Sequence, residues 1–215
     1  MPVFYEHVNE FAKIAIWHIA EEKTFFLDKV PLHQEITHPH KQLQHLAGRY
    51  LLQYLYPDFP YHLMEIADTR KPYLINEEYH FSISHCGDYA AVTVSKDHRV
   101  GIDIELVTEK IERIKHKFLN EEELIKVNGQ WSMVNGESTN QPINQLTLLW
   151  SCKESVFKWY GKGGVDFKDD IHLDVPNDKE QRFIKCKFTK EKSIDLNIEY
   201  EMFEDLCLAW VVTKH

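Results

Sequence analysis

The sequence predicts an α+β fold with two pseudo-symmetric halves, each of which packs helices on a small antiparallel sheet. Two observations support this prediction: a helix followed by antiparallel strands occurs twice along the chain, and short turn segments separate the strands. The chain has 215 residues, of which 43% are hydrophobic and 27% are charged. A globular chain of this length buries roughly 70% of its unfolded surface, so a sizeable core is expected. We place the boundary so that the halves are residues 1–102 and 103–215.

The first half is predicted to begin with a strand at residues 12–19, which are rich in β-branched side chains that alternate with others. A short helix is expected at 21–29. A longer helix is expected at 39–56, because its apolar side chains recur at intervals of three and four residues. Pro39 suits the first turn of this helix, and Pro57 ends it. The remaining strands of this half are expected at 80–85, 89–95 and 99–105.

The second half is predicted to repeat this order, with helices first and strands last. Helical segments are expected near 109–127, and a strong helix is expected at 145–160, ended by Gly161, Gly163 and Gly164. Between these helices, residues 128–145 are rich in Gly, Asn, Ser and Gln, a composition that favours a flexible loop. The strands of this half are expected near 183–188, 194–202 and 205–213.

Charge, cysteine spacing and hydropathy limit the classes of partner. The net charge of -9 gives no indication of a basic face for nucleic acid. No signal peptide is expected, and no run approaches the roughly 20 apolar residues that span a bilayer. The four cysteines are widely spaced and form no Cys-x-x-Cys pair: Cys86, Cys152, Cys186 and Cys207. We therefore expect a cytoplasmic protein with reduced thiols that binds neither nucleic acid nor a membrane.

Two carboxylates stand two residues apart at the end of the strand expected at 99–105. In Gly101-Ile102-Asp103-Ile104-Glu105, period-two alternation directs Asp103 and Glu105 to one side and the isoleucines to the other. Neighbouring carboxylates repel each other, and burial raises their pKa unless a cation neutralises them. The pair suits a magnesium ion held by few carboxylates, several waters and substrate phosphate oxygens. The alternative is a solvated pair of acids at a strand end.

The helix expected at 145–160 carries Trp150, Glu154 and Lys158 at intervals of four residues, so these side chains form one stripe. A surface ion pair beside a core tryptophan would explain this stripe without any function. Lys153, in contrast, falls among the apolar positions that face the core. A lysine in the core requires an anion or a carboxylate partner. The sequence therefore predicts such a partner for Lys153.

Two turns are candidates for contact with an anion. Ser84 and His85 end a strand just before a tight turn, and both side chains can donate hydrogen bonds to phosphate oxygens. The alternative is a hairpin in which these side chains satisfy local backbone groups. Arg70 and Lys71 precede Pro72 in a stiffened turn, which is either a solvated corner or a phosphate contact.

Together these segments resemble the 4'-phosphopantetheinyl transferases, in particular their larger, monomeric class. In chain order the shared motifs are a Lys-Pro turn, Phe-x-x-Ser-His-x-Gly-Asp, Gly-Ile-Asp-x-Glu and Trp-x-x-Lys-Glu-x-x-x-Lys. Leu46-Ala-Gly-Arg49 on the long helix and Lys117-Phe-Leu-Asn-Glu-Glu-Glu-Leu124 add to them. The resemblance covers about residues 40–165. It implies the fold of that family, in which two α+β halves hold the cofactor between them.

The resemblance also implies an activity and its partners. The enzyme would move the 4'-phosphopantetheine group of coenzyme A to a serine of an apo acyl or peptidyl carrier protein, with release of adenosine 3',5'-bisphosphate. Asp103, Glu105 and Glu154 would be the ligands of Mg²⁺. Glu154 would also take the proton of the carrier serine, and the enzyme would act as a monomer. The polar residues 128–145 are expected near the surface where the carrier protein docks.

Contacts with coenzyme A follow from the same resemblance. Lys158 would contact the diphosphate and share in catalysis with Glu154. Ser84 and His85 would contact the phosphates of the nucleotide, and Lys71 would line the same cleft together with Arg70. Members of the family often carry basic residues ahead of the long helix that meet the 3'-phosphate. Residues 30–40 contain histidines but no lysine or arginine, so a contact between these residues and the 3'-phosphate is not expected.

Two other classes of protein stay open. A metal-dependent nuclease also needs clustered acids and a lysine, although the net charge of -9 and the lack of a basic run disfavour it. Salt-sensitive binding to DNA would support this class. A non-catalytic module that binds carrier proteins is the second alternative. The intact set of Asp103, Glu105, Glu154 and Lys158 is evidence against it.

Overall fold

A computed structural model describes residues 3–31, 36–131, 141–175 and 182–214, and within them it confirms the α+β class. The helices are α1 (Lys23–Leu27), α2 (Pro39–Leu55), α3 (Lys110–Phe118), α4 (Glu121–Trp131) and α5 (Gln141–Tyr160), with a short 3-10 helix at Tyr61–Leu63. The strands are β1 (Val3–Val8), β2 (Lys13–His18), β3 (Met64–Ile66), β4 (Pro72–Leu74), β5 (His80–Cys86), β6 (Tyr89–Ser95), β7 (His98–Leu106), β8 (Ile171–Leu173), β9 (Phe183–Phe188), β10 (Ile194–Met202) and β11 (Leu206–Lys214).

Two antiparallel sheets form the framework of the molecule. The first sheet has the strand order β1-β2-β6-β5, and the second has the order β7-β11-β10-β9-β8. Strands β3 and β4 form a separate hairpin. The predicted hairpin of β5 and β6 is confirmed, with Cys86 opposite Tyr89. Each half therefore contains the helix and antiparallel sheet that the element order predicted.

The two sheets pack face to face between the two long helices, which gives four layers. On one outer side, α2 buries Leu46, Leu51 and other apolar residues against the first sheet. Between the sheets, Ile14 and Ile16 of β2 belong to the same buried cluster as Ile102 and Ile104 of β7. On the other outer side, α5 covers the second sheet. The core thus consists of three buried clusters, one between each pair of adjacent layers. The candidate site lies between α5 and β7.

The strands that the sequence pattern did not predict are short or lie at an edge. Strand β1 is the edge of the first sheet, and its side chains alternate between half-buried and exposed. Strands β3, β4 and β8 have three residues each. Three residues are too few to display a period of two, so only pairing with a neighbour defines such strands.

The bounds predicted for the loop at residues 128–145 are wrong at both ends. Helix α4 continues to Trp131, and α5 already begins at Gln141. Polar residues such as Asn cost a helix well under 1 kcal/mol each, so adjoining helical turns can extend through them. At the start of α5, the Thr147 hydroxyl donates to the carbonyl of Ile143 at 2.8 Å. The middle of the expected loop, residues 132–140, lies outside the described residues.

Strand β7 joins the two halves. The boundary expected between residues 102 and 103 falls inside this strand, and a division there would cut its continuous pairing with β11. Helix α5 lies directly against β7 at Gly101. A Cβ atom there would collide with the carbonyl oxygen of Ser155 and would come within 2.5 Å of the backbone nitrogen of Trp159. Glycine therefore permits the close approach that brings α5 to the acids of β7.

Two further expectations concern membrane-spanning helices and the cysteine thiols. Within the described ranges, no helix combines the length and the apolar character needed to cross a membrane. All four cysteines are free thiols, and Cys86 alone among them is not fully buried.

Candidate active site

Side chains from three elements meet where β7 lies between β5 and α5. The predicted alternation on β7 is confirmed, because Ile102 and Ile104 are fully buried between the two sheets. Asp103 and Glu105 lie on the opposite face, towards α5. Asp103 is only 2% exposed and Glu105 is half-buried, so the pair is not a fully solvated pair of acids.

Asp103 is held by side chains from two other segments. Its Oδ1 atom accepts hydrogen bonds from Ser84 Oγ at 2.9 Å and from Lys158 Nζ at 2.6 Å. Lys158 Nζ also donates to Ser84 Oγ at 2.8 Å. Helix spacing alone offered Glu154 as the partner of Lys158, but the ion pair that forms joins Lys158 to Asp103 across the contact between α5 and β7.

The other two carboxyls have strongly raised pKa values. Burial and then the charge of Asp103 raise the pKa of Glu105 to about 7, against an opposing hydrogen bond from Trp150. The indole Nε1 of Trp150 donates to Glu105 Oε1 at 3.0 Å. Burial and then Asp103 also raise the pKa of Glu154 to about 7, while Lys158 opposes the shift. Both carboxyls therefore exchange a proton near neutral pH.

The carboxylate oxygens of this site fit a hard divalent cation. Asp103 Oδ2 is buried and has no hydrogen-bond partner in the described part of the chain, which is costly unless a cation compensates it. In the present arrangement the ammonium of Lys158 supplies the positive charge. No three acidic, His or Cys side chains among the described residues already converge as ligands. To hold one ion, Glu105 and Glu154 would have to approach the free Oδ2 of Asp103.

Lys153 has the carboxylate partner that the sequence predicted. Its Nζ atom donates to Glu123 Oε2 at 2.7 Å and to the carbonyls of Phe167 and Ile171, each at 2.7 Å. Lys153 is 0% exposed and Glu123 is 2% exposed. The sequence did not single out Glu123, because it stands in a run of three glutamates, of which the other two are exposed. The pair anchors α4 to the helix that carries Glu154 and Lys158.

A group of basic side chains lies beside His85. His45 and Arg49, one turn apart on α2, form a hydrogen bond between Nδ1 and Nη1 at 3.1 Å, and the rings of His45 and His85 are 5.8 Å apart. Arg49 is 4% exposed, and its Nε atom has no partner among the described residues. Burial and then Arg49 lower the pKa of His45 to about 4. Burial and then Lys158 lower the pKa of His85.

His45 was missed by the sequence analysis, and Arg49 entered it only as part of a motif. The signal that connects them is their spacing of four residues on α2, which places both side chains on one face of the helix. Their proximity to His85 depends on the packing of α2 against β5.

Arg70 and Lys71 lie on the turn between β3 and β4, which contacts the C-terminal end of α5. Lys71 Nζ donates to the carbonyl of Lys158 at 2.5 Å, and Thr69 Oγ1 donates to the carbonyl of Gly161 at 3.0 Å. These donors satisfy helix-end carbonyls that lack partners within the helix. Burial lowers the pKa of Lys71 to about 8, whereas Arg70 is exposed. The phosphate contacts expected of both residues stay predictions.

Known proteins resemble this chain in the same region. The family model of the 4'-phosphopantetheinyl transferase superfamily matches residues 99–211, which include the three carboxylates, Lys153 and Lys158. The 4'-phosphopantetheinyl transferase gsp of Aneurinibacillus migulanus is 32% identical over 118 residues, which are 55% of this chain and 46% of that protein. A 4'-phosphopantetheinyl transferase of Bacillus subtilis is 31% identical over 131 residues, which are 56% of this chain and 55% of that protein. The chain thus spans about half the length of the curated relatives it matches.

Proposed function

Since the chain belongs to the 4'-phosphopantetheinyl transferase superfamily, we propose that it moves the 4'-phosphopantetheine group of coenzyme A to a serine of an apo acyl or peptidyl carrier protein. The observation that carries this proposal is the cluster in which the buried Asp103 and the half-buried Glu105 and Glu154 lie beside Lys158. Carboxylates that can hold a divalent cation and a lysine that neutralises phosphate charge are parts that phosphoryl transfer uses.

The chemistry assigns one task to each of these side chains. The serine oxygen attacks the β-phosphorus of coenzyme A, its proton passes to Glu154, and the bond to adenosine 3',5'-bisphosphate breaks. In the metal-free protein, burial and then Asp103 raise the pKa of Glu154 to about 7, so this carboxyl holds a proton more readily than an ordinary glutamate. Asp103, Glu105 and Glu154 would hold Mg²⁺, which supplies neutralisation of the diphosphate charge. Lys158, which already neutralises Asp103, offers its ammonium to the same diphosphate.

The proposal also covers the oligomeric state of the enzyme and its location in the cell. We propose that the chain acts as a monomer and in the cytoplasm, where its four free thiols would stay reduced. Size-exclusion chromatography with light scattering tests the first of these statements. Carrier protein and coenzyme A are the proposed partners.

The proposed transfer has a direct test. Intact-mass spectrometry of an apo carrier protein, incubated with this chain, coenzyme A and Mg²⁺, should show the gain of one phosphopantetheine group. The gain should disappear when the carrier serine is replaced by alanine. A carrier protein that binds the chain but keeps its mass would instead indicate a non-catalytic module. Cleavage of DNA under the same conditions would indicate the nuclease.

The affinity for coenzyme A is expected to be at least about tenfold higher than that for dephospho-coenzyme A. Both ligands should bind more tightly than pantetheine. Basic groups run from Lys158 through His85 to His45 and Arg49, and coenzyme A carries a diphosphate and a separate ribose phosphate. A hydrogen bond to a charged group is worth about 1.5–3 kcal/mol, which sets the expected factor. Helix α2 thus adds the guanidinium of Arg49, a kind of cation that residues 30–40 do not contain. Calorimetric titration with the three ligands measures the differences.

A matched pair of histidine variants tests the assignment. His45→Ala should shrink the difference between coenzyme A and dephospho-coenzyme A. His40→Ala, on the same helix, removes an exposed imidazole that lies 2.9 Å from Asp88, and it should leave that difference unchanged. If His45→Ala retains the full difference, the ribose phosphate is bound elsewhere.

A further inference from the structure

Two serines on β5 bridge the two sheets in the same way. Ser82 and Ser84 are two residues apart, so their side chains point to the same side of the strand. Both are nearly buried, with exposed fractions of 3% and 5%. Ser82 Oγ accepts a hydrogen bond from the N–H of Ile102 at 3.2 Å, and Ser84 Oγ accepts one from the N–H of Ile104 at 3.3 Å. Each hydroxyl thus satisfies one backbone donor of β7.

Among the described residues, only Ser84 forms further side-chain hydrogen bonds. A serine hydroxyl has one proton to donate and two lone pairs that accept. The proton of Ser84 goes to Asp103 Oδ1 at 2.9 Å, and its lone pairs face the N–H of Ile104 and the ammonium of Lys158. In this arrangement the hydroxyl donates to Asp103 and not to a phosphate.

The two oxygens of Asp103 therefore have unequal surroundings. Oδ1 accepts from both Ser84 and Lys158, whereas Oδ2 is buried and has no partner among the residues described. The terminal torsion of an aspartate is broad, so an unrestrained carboxylate takes a range of orientations. A donor fixed to Oδ1 narrows this range and leaves Oδ2 as the oxygen that can accept a further partner.

We propose that Ser84 is a positioning residue that orients the carboxylate of Asp103 for metal binding, an inference that rests on the proposed magnesium site. Lys158 also holds Oδ1, but its ammonium cannot hold Asp103 in the same way once it contacts the diphosphate. The hydroxyl of Ser84 is fixed by β5 and stays in place throughout. Ser84 then acts on the metal through Asp103 and not through a phosphate.

Calorimetric titration of Mg²⁺ into the protein, without coenzyme A or carrier protein, tests this inference. Ser84→Ala should weaken Mg²⁺ binding by about 10- to 100-fold, the usual loss when a hydrogen bond that orients a metal ligand is removed. Ser82→Ala is the matched control, because it removes the same kind of bridge to β7 without touching a carboxylate. Both variants should lower the Tm, Ser84→Ala by more because it also removes the donor to Asp103, and only Ser84→Ala should change the affinity for the ion.

A second variant separates positioning from packing. Ser84→Cys keeps a side chain of similar shape with a weaker donor, and its affinity for Mg²⁺ should fall between those of the wild type and Ser84→Ala. Equal loss of Mg²⁺ affinity in Ser82→Ala and Ser84→Ala would overturn the inference, because a general loosening of the sheets would explain both. Unchanged Mg²⁺ affinity in Ser84→Ala, with weaker binding of coenzyme A, would also overturn it and leave the proposed function intact. A wild type that binds no Mg²⁺ would overturn the proposed metal site itself.

Discussion

Glu154→Gln is expected to lower kcat at least about a hundredfold at saturating Mg²⁺, because loss of a general base typically costs about 10²- to 10⁴-fold. The amide keeps the shape of the side chain but can neither take the serine proton nor supply a charged ligand. Glu154 lies beside Asp103 and Glu105, both of which raise its pKa. The rate of carrier modification, followed by intact mass at several Mg²⁺ concentrations, measures the effect.

The same substitution should stabilise the metal-free protein at alkaline pH. The pKa of Glu154 is about 7 in the folded protein against an ordinary value of 4.5, so the folded state retains the proton more strongly. Its stabilising contribution is complete below about pH 4.5 and is lost as the pH rises through 7. The Tm of Glu154→Gln relative to that of the wild type should therefore increase between pH 5 and pH 8.

An exposed glutamate provides the control for both measurements. Glu112 on α3 forms an ion pair with Lys115 at the surface, at 2.6 Å. Glu112→Gln should leave kcat within about twofold and should change the Tm little at any pH in this range. Unchanged turnover in Glu154→Gln would mean that Glu154 is not the base. A Tm difference that does not vary with pH would contradict the raised pKa.

Lys153→Met is expected to destabilise the fold by about 3–5 kcal/mol, the usual cost of removing one partner of a buried ion pair. The substitution leaves Glu123 charged in the core and leaves the carbonyls of Phe167 and Ile171 without their donor. For a chain of this size, each kcal/mol lowers the Tm by about 2–4 °C. A loss of roughly 6–20 °C should appear in calorimetry.

Lys162→Met is the matched control for this prediction. The ammonium of Lys162 lies 3.3 Å from Glu191, and both side chains are more than half exposed. An exposed pair contributes about 1 kcal/mol or less, so this variant should lose little stability. Equal losses in the two variants would show that burial of the Lys153–Glu123 pair has no special importance. Guanidinium titration of both proteins gives the free energies of unfolding directly.

Local patterns were sufficient for much of the fold and for the identity of the acids. The period of two in residues 101–105 assigned Asp103 and Glu105 to one face, and packing in the core confirmed it. The apolar positions around Lys153 showed that it needs a carboxylate or an anion. These features depend on neighbours a few residues apart, which the sequence displays directly.

The tertiary structure decided which partners these residues have. Ser84 and Asp103 are 19 residues apart, Lys153 and Glu123 are 30 apart, and Lys71 and the carbonyl of Lys158 are 87 apart. No periodicity relates such distant positions, because their contact depends on how α5, β5 and β7 pack. The sequence by itself determined the acids, the lysines and the elements that carry them. Only packing decided that Lys158 pairs with Asp103 rather than Glu154, since the close approach at Gly101 brings α5 against β7.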